Sequence, residues 1–199
     1  MATPNRQNII ERIRSVFLNT TTLTQYTNNS VKWFRDYITS NFVLRLNNAR
    51  NYLNNPQSRV MPGSMYMFSY DPKWKEKLEY YDTFPCILCL ETYDDGFLGL
   101  NLHYVDPRTR AAILVELLGT INNKQYDDTT KFKINYQKVA SLSRTSQFKN
   151  HMIKRYLYTQ LRTPVSRVEP SDWEIVIFLP LQNFKKAYSS KVWRDAFKR

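Results

Sequence analysis

A short acidic and basic motif, Asp71-Pro72-Lys73, is the first candidate for catalytic chemistry. It follows a predicted strand and has the acid-x-lysine form of metal-dependent nucleases, in which the carboxylate holds Mg²⁺ and the lysine stabilises the attacking water. Such a site needs a second carboxylate on a neighbouring strand, but the preceding acidic residues, Glu11 and Asp36, lie in predicted helices. A turn built on Asp-Pro explains the same residues. We therefore predict no catalytic residue and keep a metal-dependent nuclease as an alternative.

The two cysteines, Cys86 and Cys89, have the spacing of a zinc knuckle or a redox pair. They fall in a predicted strand, however, where residues three apart point to opposite faces and cannot easily share a metal. The chain has no second cysteine pair, and His103 and His151 are its two histidines. We therefore interpret the cysteines as buried thiols and predict no metal site and no cofactor.

Basic and aromatic side chains are interleaved toward the C-terminal end. This mixture can pair with phosphates and stack on unpaired bases. The alternative is that the aromatic residues, Trp193 above all, dock this segment onto the domain while the charges face water. The residues predicted to contact nucleic acid or another partner are Lys149, Lys154, Arg155, Arg162, Arg167, Lys185, Lys186, Lys191, Trp193, Arg194, Lys198 and Arg199.

The formal net charge of +12 is concentrated at the two ends of the chain. Residues 1–61 contain 8 basic and 2 acidic side chains, residues 62–143 contain 9 and 11, and residues 144–199 contain 12 and 4. A near-neutral centre between positive arms predicts contact with something anionic, either nucleic acid or an acidic protein. Solvated helix faces are the alternative explanation for any single lysine or arginine.

The segments that must position these residues indicate an α+β fold. Alternation over residues 65–70 and apolar runs at 84–93 and 97–104 predict antiparallel strands, with Asp94-Asp95-Gly96 as a hairpin turn. Gly99 inside a strand indicates a bulge or a close backbone approach. We expect a small antiparallel β-barrel or curled sheet, formed by about residues 62–104 plus 172–180 and flanked by N-terminal and C-terminal helices.

Helical spacing of apolar residues predicts a helix from Asp106-Pro107 to Gly119 and another over residues 146–161. Helical patterns also begin at Thr3-Pro4 and after Ser30. The predicted domains are a helical N-terminal extension at residues 1–61 and a β-barrel/α domain at residues 62–199 that ends in a basic tail.

Composition excludes several classes of protein. Hydrophobic residues make up 42% of the 199 residues, enough to bury a core, which excludes a mainly disordered chain. The longest apolar stretches are about eight residues, against the roughly 20 that span a bilayer, so no membrane partner is expected. No secretion signal is expected, and two cysteines cannot form a disulfide framework, which predicts synthesis in a reducing cytosol.

Several segments resemble a family of virion-associated proteins encoded by large contractile-tailed phages related to the coliphage type. They are MYMFSYDPK at 65–73, YYDTFP at 80–85, GFLGLNLHY at 96–104, IKRYL at 153–157, DWEI at 172–175 and FLP at 178–180. The resemblance implies a non-enzymatic structural or accessory component of the virion, similar to DNA end protector proteins. A head-to-tail or baseplate component is equally compatible with it.

The same resemblance implies partners and a location. The implied partners are other phage virion proteins, packaged DNA or both, with an oligomeric state set by the assembly. The implied location is the virion, after synthesis in the host cytoplasm. A soluble nucleic-acid-binding module that is never packaged is kept as a further alternative.

Overall fold

The computed structural model describes residues 28, 29, 31, 32, 60–121, 137, 151–169 and 172–196. The predicted N-terminal helices lie almost entirely outside these residues, as do Lys149, Lys198 and Arg199. The division into domains at residue 61 therefore stays a prediction.

In the described chain, four strands come first, and helices and further strands follow them. The strands are β1 (Met65–Met67), β2 (Tyr81–Asp82), β3 (Cys86–Tyr93), β4 (Gly96–Asn101), β5 (Ile153–Leu157), β6 (Ser166–Val168) and β7 (Phe184–Lys185). The α-helices are α1 (Pro107–Ile121), α2 (Trp173–Val176) and α3 (Ser189–Asp195). Single 3₁₀ turns at Leu102–Tyr104 and Tyr158–Gln160 follow β4 and β5.

Five strands form an open antiparallel sheet in the order β5-β4-β3-β1-β6, and β2 pairs with β7 in a separate two-stranded sheet. Because β5 and β6 are at opposite edges, the described strands do not close on themselves. The prediction of a barrel or curled sheet from residues 62–104 plus 172–180 is therefore wrong. The described residues form a mixed α+β fold in which sheet dominates.

Residues 172–180, predicted as a strand of the barrel, contain helix α2 instead. The run is apolar at most positions, a pattern that buried strands and buried helices share. The N–H of Ile177 donates to the carbonyl of Trp173 at 3.2 Å, which is a helical hydrogen bond. The indole N–H of Trp173 donates to the Val168 carbonyl at 3.0 Å and anchors this helical turn beside β6.

The helix predicted over residues 146–161 is wrong from residue 153 on, because β5 occupies residues 153–157, while residues 151 and 152 are helical and residues 146–150 lie outside the described residues. Ile153, Tyr156 and Leu157 have helical spacing, which led to the prediction. In the fold, β5 pairs with β4, and the Tyr156 ring stacks on Phe97 with 5.5 Å between the ring centroids. Sheet pairing and aromatic packing thus outweigh the local pattern.

Two other predictions are confirmed. Strands β3 and β4 pair through Tyr93 and Gly96, which leaves Asp94 and Asp95 as a two-residue hairpin loop. Helix α1 begins at Pro107, and the Asp106 carboxylate accepts the N–H groups of Arg108 at 2.9 Å and Thr109 at 3.2 Å as a cap. The helix continues to Ile121, past the predicted end at Gly119.

The five-stranded sheet carries a buried hydrophobic cluster on each of its faces. One face packs against the α-helices in a cluster that includes Met65, Met67 and Cys86. The other carries an aromatic cluster that includes Tyr66, Phe68, Tyr70, Phe97 and Tyr156. Cys86 belongs to the first cluster and Cys89 to the second, so the cysteines point to opposite faces as the strand alternation predicts.

Two glycines on β4 allow neighbouring groups to approach closely. A Cβ atom on Gly96 would lie 1.9 Å from the Tyr156 carbonyl oxygen and 3.0 Å from the Leu157 Cα. Gly99 faces a β-bulge between Cys89 and Glu91, which confirms the expected irregularity, although there is no barrel corner in the described sheet. The close contact between β4 and β5 therefore depends on Gly96.

The Gly96→Ala variant is expected to lose about 3 kcal/mol or more of unfolding free energy, because its Cβ would force β4 and β5 apart. Gly99→Ala is the matched control: its nearest neighbour is the flexible end of Ile87, at 2.7 Å, and it should lose only about 1 kcal/mol. Urea denaturation measures both values. Equal stability of the two variants would contradict the role assigned to Gly96.

Candidate functional site

A cavity of about 400 Å³ lies between β5 and the segment of residues 70–82. Its wall also includes the end of β4 and the 3₁₀ turn that follows β4. We call it the aromatic pocket, and its lining residues are Tyr70, Pro72, Lys73, Trp74, Leu78, Tyr81, Asp82, Asn101, Tyr104, Lys154, Arg155, Tyr156 and Leu157.

The floor of the aromatic pocket is built around Asp82, whose side chain is almost fully buried. Its Oδ1 accepts the backbone N–H groups of Phe84 at 3.0 Å and Asn183 at 3.1 Å. Its Oδ2 accepts His103 Nδ1 at 2.7 Å and the Asn101 amide at 3.3 Å. One carboxylate therefore joins β2, the end of β4, the following 3₁₀ turn and the segment before β7.

The Asn101 side chain extends this network to β5. Its amide donates to the Tyr156 hydroxyl at 3.1 Å, and its Oδ1 accepts the N–H of His103 at 2.9 Å. Tyr156 lies in the aromatic cluster, so the floor of the pocket is fixed to the core on that face of the sheet. Hydrogen bonds on every side hold these polar groups in place.

The buried charges of the floor are balanced over three side chains. Burial alone would raise the pKa of Asp82, but His103 and the hydrogen bonds to the carboxylate outweigh burial and hold this pKa below its ordinary value. Burial lowers the pKa of His103 although Asp82 opposes it, and the nearby Arg110 adds to the lowering. Asp82 is thus ionised, His103 is neutral, and Arg110 carries the compensating positive charge.

Arg110 is fully buried, and burial lowers its pKa to about 10, which leaves it protonated at neutral pH. Its guanidinium lies 5.7 Å from the ring centroid of Trp193, and the Trp193 indole donates to the His103 carbonyl at 2.9 Å. Trp193 is therefore docked against the domain behind the pocket floor. The acceptors of the guanidinium are the carbonyls of Val105, Ile177 and His103 and the side-chain oxygen of Gln182.

Lys154 on β5 brings a positive charge into the wall of the pocket. Its Nζ lies 4.6 Å from the centroid of the Tyr104 ring, a cation–π contact. Burial lowers the pKa of Lys154 to about 8. An anion that entered the pocket would meet this ammonium in an environment of low polarity, where attraction between charges is strong.

Trp74 stands at the mouth of the pocket with 59% of its surface exposed. Lys73 Nζ and Lys77 Nζ lie 5.3 and 5.2 Å from its ring centroid. Among the described residues, no carboxylate is within ion-pair distance of either lysine. The mouth therefore combines an exposed aromatic face with two unpaired positive charges.

Residues from the C-terminal half of the chain hold residues 71–78, which include the pocket mouth, in place. Lys186 Nζ donates to the carbonyls of Lys75 at 2.7 Å and of Glu76 and Leu78 at 3.2 Å. The Asp71 carboxylate is bound by both Lys75 and Arg162, and these two partners lower the pKa of Asp71, the hydrogen bond from Arg162 most of all. Within the Asp71-Pro72-Lys73 motif, Asp71 thus belongs to an ion-pair network with Lys75 and Arg162, whereas Pro72 and Lys73 line the pocket.

The structure divides the predicted binding residues into separate groups. Lys154 and Arg155 line the aromatic pocket, whereas Arg162 lines a second, more open cavity of about 440 Å³. Lys185 and Arg194 are exposed, and neither has a carboxylate at ion-pair distance among the described residues. The internally bound pairs are Arg155 with Asp95, Arg162 with Asp71, Arg167 with Glu169 at 4.0 Å, and Lys191 with Glu79 and Asp195, while Lys186 is bound by carbonyls.

Sequence reasoning missed Trp74, Lys73 and Lys77 as binding candidates. The run Lys73-Trp74-Lys75-Glu76-Lys77 has the same interleaving of bases with an aromatic residue that drew attention to the C-terminal stretch. Lys73 was considered only as part of the Asp71-Pro72-Lys73 motif.

Two further observations concern metal binding and membrane spanning by the described residues. Within residues 60–121, 151–169 and 172–196, no group of three or more His, Cys, Asp or Glu side chains is arranged to hold a metal ion. No helix in the described part of the chain is long and apolar enough to cross a membrane.

Acidification is expected to destabilise the fold below about pH 6.5, the ordinary pKa of histidine. His103 binds a proton there more readily in the unfolded chain than in the folded protein, where burial lowers its pKa. The unfolded state thus takes up more protons, and the free energy of unfolding falls with pH. Asp82, whose pKa is also lowered, extends the loss below about pH 4.

Urea denaturation between about pH 7.5 and pH 5 measures this loss. Burial also lowers the pKa of His151, so the His151→Gln variant is the control and should keep a clear pH dependence from His103. A free energy of unfolding that does not change over this range would contradict the neutral state assigned to His103.

A comparison with protein families identifies the chain. The family described as "Phage T4 terminal DNA protecting protein" matches residues 4–196. No curated protein and no solved structure matches the chain. The matched range contains the aromatic pocket and all the strands of both sheets, and it covers nearly the whole sequence. The chain therefore belongs to the family of the phage T4 terminal DNA protecting protein.

Proposed function

We propose that this protein binds the ends of linear phage DNA without catalysing a reaction and shields them from exonucleases. The observation that carries the proposal is the family match over residues 4–196, because the family is described as a terminal DNA protecting protein. The charge of the chain supports it, since a net charge of +12 favours binding to the phosphate backbone.

The distribution of paired and unpaired cations supports binding near the aromatic pocket. Lys73 and Lys77, which have no carboxylate partner among the described residues, lie beside the exposed Trp74 ring at the mouth. Lys154 adds a cation to the wall, beside the buried Tyr104 ring. Lys185 and Arg194 add exposed positive charge, and Lys149, Lys198 and Arg199 are proposed as further contacts. The internally paired cations, such as Lys191, shape this surface instead of supplying free charge to it.

The polar groups of the pocket suit recognition better than catalysis. Both oxygens of Asp82 accept two hydrogen bonds each from the protein, and the Asp71 carboxylate is bound by two cations. The Asp82 carboxylate is saturated in this way, so it supports the structure and has little capacity left to bind a metal or accept a proton, while the Asp71 carboxylate is engaged by its two cations. These contacts favour the non-enzymatic proposal over the nuclease alternative.

Pure protein is expected to slow the digestion of linear duplex DNA by an added exonuclease. Protection should require open ends and should decline steeply with salt: an interface with 6 to 10 phosphate contacts loses roughly 10³ to 10⁵ in affinity between 50 and 200 mM salt. A gel assay of end-labelled DNA measures this. Incubation with Mg²⁺ and no exonuclease is the control and should leave the DNA intact, so degradation there would favour the nuclease alternative.

We further propose that the protein is carried in the virion, where DNA ends and other virion proteins are its partners and the assembly sets its oligomeric state. Synthesis in the host cytoplasm would precede packaging. Mass spectrometry of purified particles should therefore find its peptides at a fixed low copy number. Their absence from particles, together with their presence in infected cells, would instead support the nucleic-acid-binding module that is never packaged.

A further inference from the structure

We propose that the aromatic pocket takes up the terminal nucleotide of a DNA strand, with its base stacked on Trp74 and its phosphate facing Lys73, Lys77 and Lys154. This inference rests on the proposed function, because it names the part of a DNA end that the protein recognises. The proposed binding requires no rearrangement of the pocket floor, because the hydrogen bonds of Asp82 already fix the floor in place.

The size of the pocket suits a single nucleotide. Its volume of about 400 Å³ falls within the range of pockets that hold small ligands. Its lining combines aromatic side chains, Tyr70, Tyr81 and Tyr104, with the half-buried ammonium of Lys154. A base with its attached phosphate offers the matching pair of surfaces, one flat and one anionic.

Trp74 is the side chain best placed to stack on a base. The rings of Tyr70 and Tyr156 already contact each other edge to face, with 5.0 Å between centroids, and both contact Phe68 within the core. Trp74, in contrast, exposes more than half of its surface to solvent beside the pocket. An exposed tryptophan flanked by two lysines has the composition of a stacking platform for unpaired nucleic acid.

A DNA end differs from internal duplex in a way that such a pocket can detect. Removing a base from the stack costs unstacking and unpairing energy, and this cost is lowest for bases that are already unpaired. A terminal base has a stacking neighbour on one side only. A pocket that accepts a single nucleotide therefore selects ends, while lysine contacts to the backbone bind ends and internal duplex alike.

The test measures the end preference, defined as the affinity for linear duplex divided by that for a closed circular duplex of the same sequence. The Trp74→Ala variant should lose about 5- to 150-fold of the affinity for linear duplex, the range expected for one base–aromatic stack. Its affinity for circular duplex and the salt dependence of that affinity should not change. Trp74→Tyr should recover most of the preference, because it restores an aromatic face.

Two more variants control the result. Lys154→Met should also reduce the end preference, since it removes the charge in the wall at similar volume. Tyr188→Ala removes an aromatic side chain that is 87% exposed and not part of the pocket lining, and it should behave as the unmodified protein does. Circular dichroism checks that each variant is folded.

A fluorescent base analogue, 2-aminopurine, reports on the position of the base. Placed at the terminal position, its fluorescence should change when the protein binds, and Trp74→Ala should abolish the change; placed internally, it should not respond. If the unmodified protein prefers ends but Trp74→Ala keeps the full preference, the pocket proposal is wrong while the proposed function stands. If the unmodified protein shows no end preference at all, the proposed function fails as well.

Discussion

The fold of the described region depends on burying one carboxylate. A buried charge is stable only where hydrogen bonds and a compensating charge replace the lost water. Asp82 meets this requirement by drawing together two backbone N–H groups, Asn101 and His103, with Arg110 as the balancing charge. Segments more than 100 residues apart, at Asp82 and Asn183, are joined as a consequence. The floor of the aromatic pocket is formed by this network, because the side-chain polar atoms of Asp82 and Asn101 all make hydrogen bonds within it.

Because charged side chains also need partners within the fold, not every basic residue indicates an external binding partner. A high content of lysine and arginine indicates a partner only where those side chains are not already paired within the protein. Lys186 and Lys191 bind carbonyls and carboxylates of the segment at residues 75–79, so their role is to hold the pocket mouth in shape. Charge available to a partner is found instead at Lys73 and Lys77, beside Trp74. C-terminal residues thus support a surface that a different part of the chain presents.

Local features could be predicted from the sequence, and long-range ones could not. The hairpin at Asp94-Asp95, the start of α1 at Pro107 and the opposed cysteines follow from turn chemistry, capping and strand alternation. The predictions for β5 and α2 are wrong for different reasons: the apolar residues of β5 have helical spacing, and the short apolar run of α2 fits a strand and a helix equally well. Tertiary contacts decide both cases. The aromatic pocket is lined by residues from three segments, 70–82, 101–104 and 153–157. The spacing of residues along the sequence does not show that these segments lie close together in the fold.

The protonation states of the pocket and its surroundings support the role in recognition that we propose. A catalytic group works best with a pKa near the working pH. Burial raises the pKa of both Cys86 and Cys89 to about 12, and the carboxylate of Asp82 is held ionised. Lys154, with a pKa of about 8, is the exception, and an anionic phosphate beside it would hold it in the charged form. A site of this kind would gain its selectivity from shape, stacking and fixed charge, which are the properties that the proposed binding of a DNA end requires.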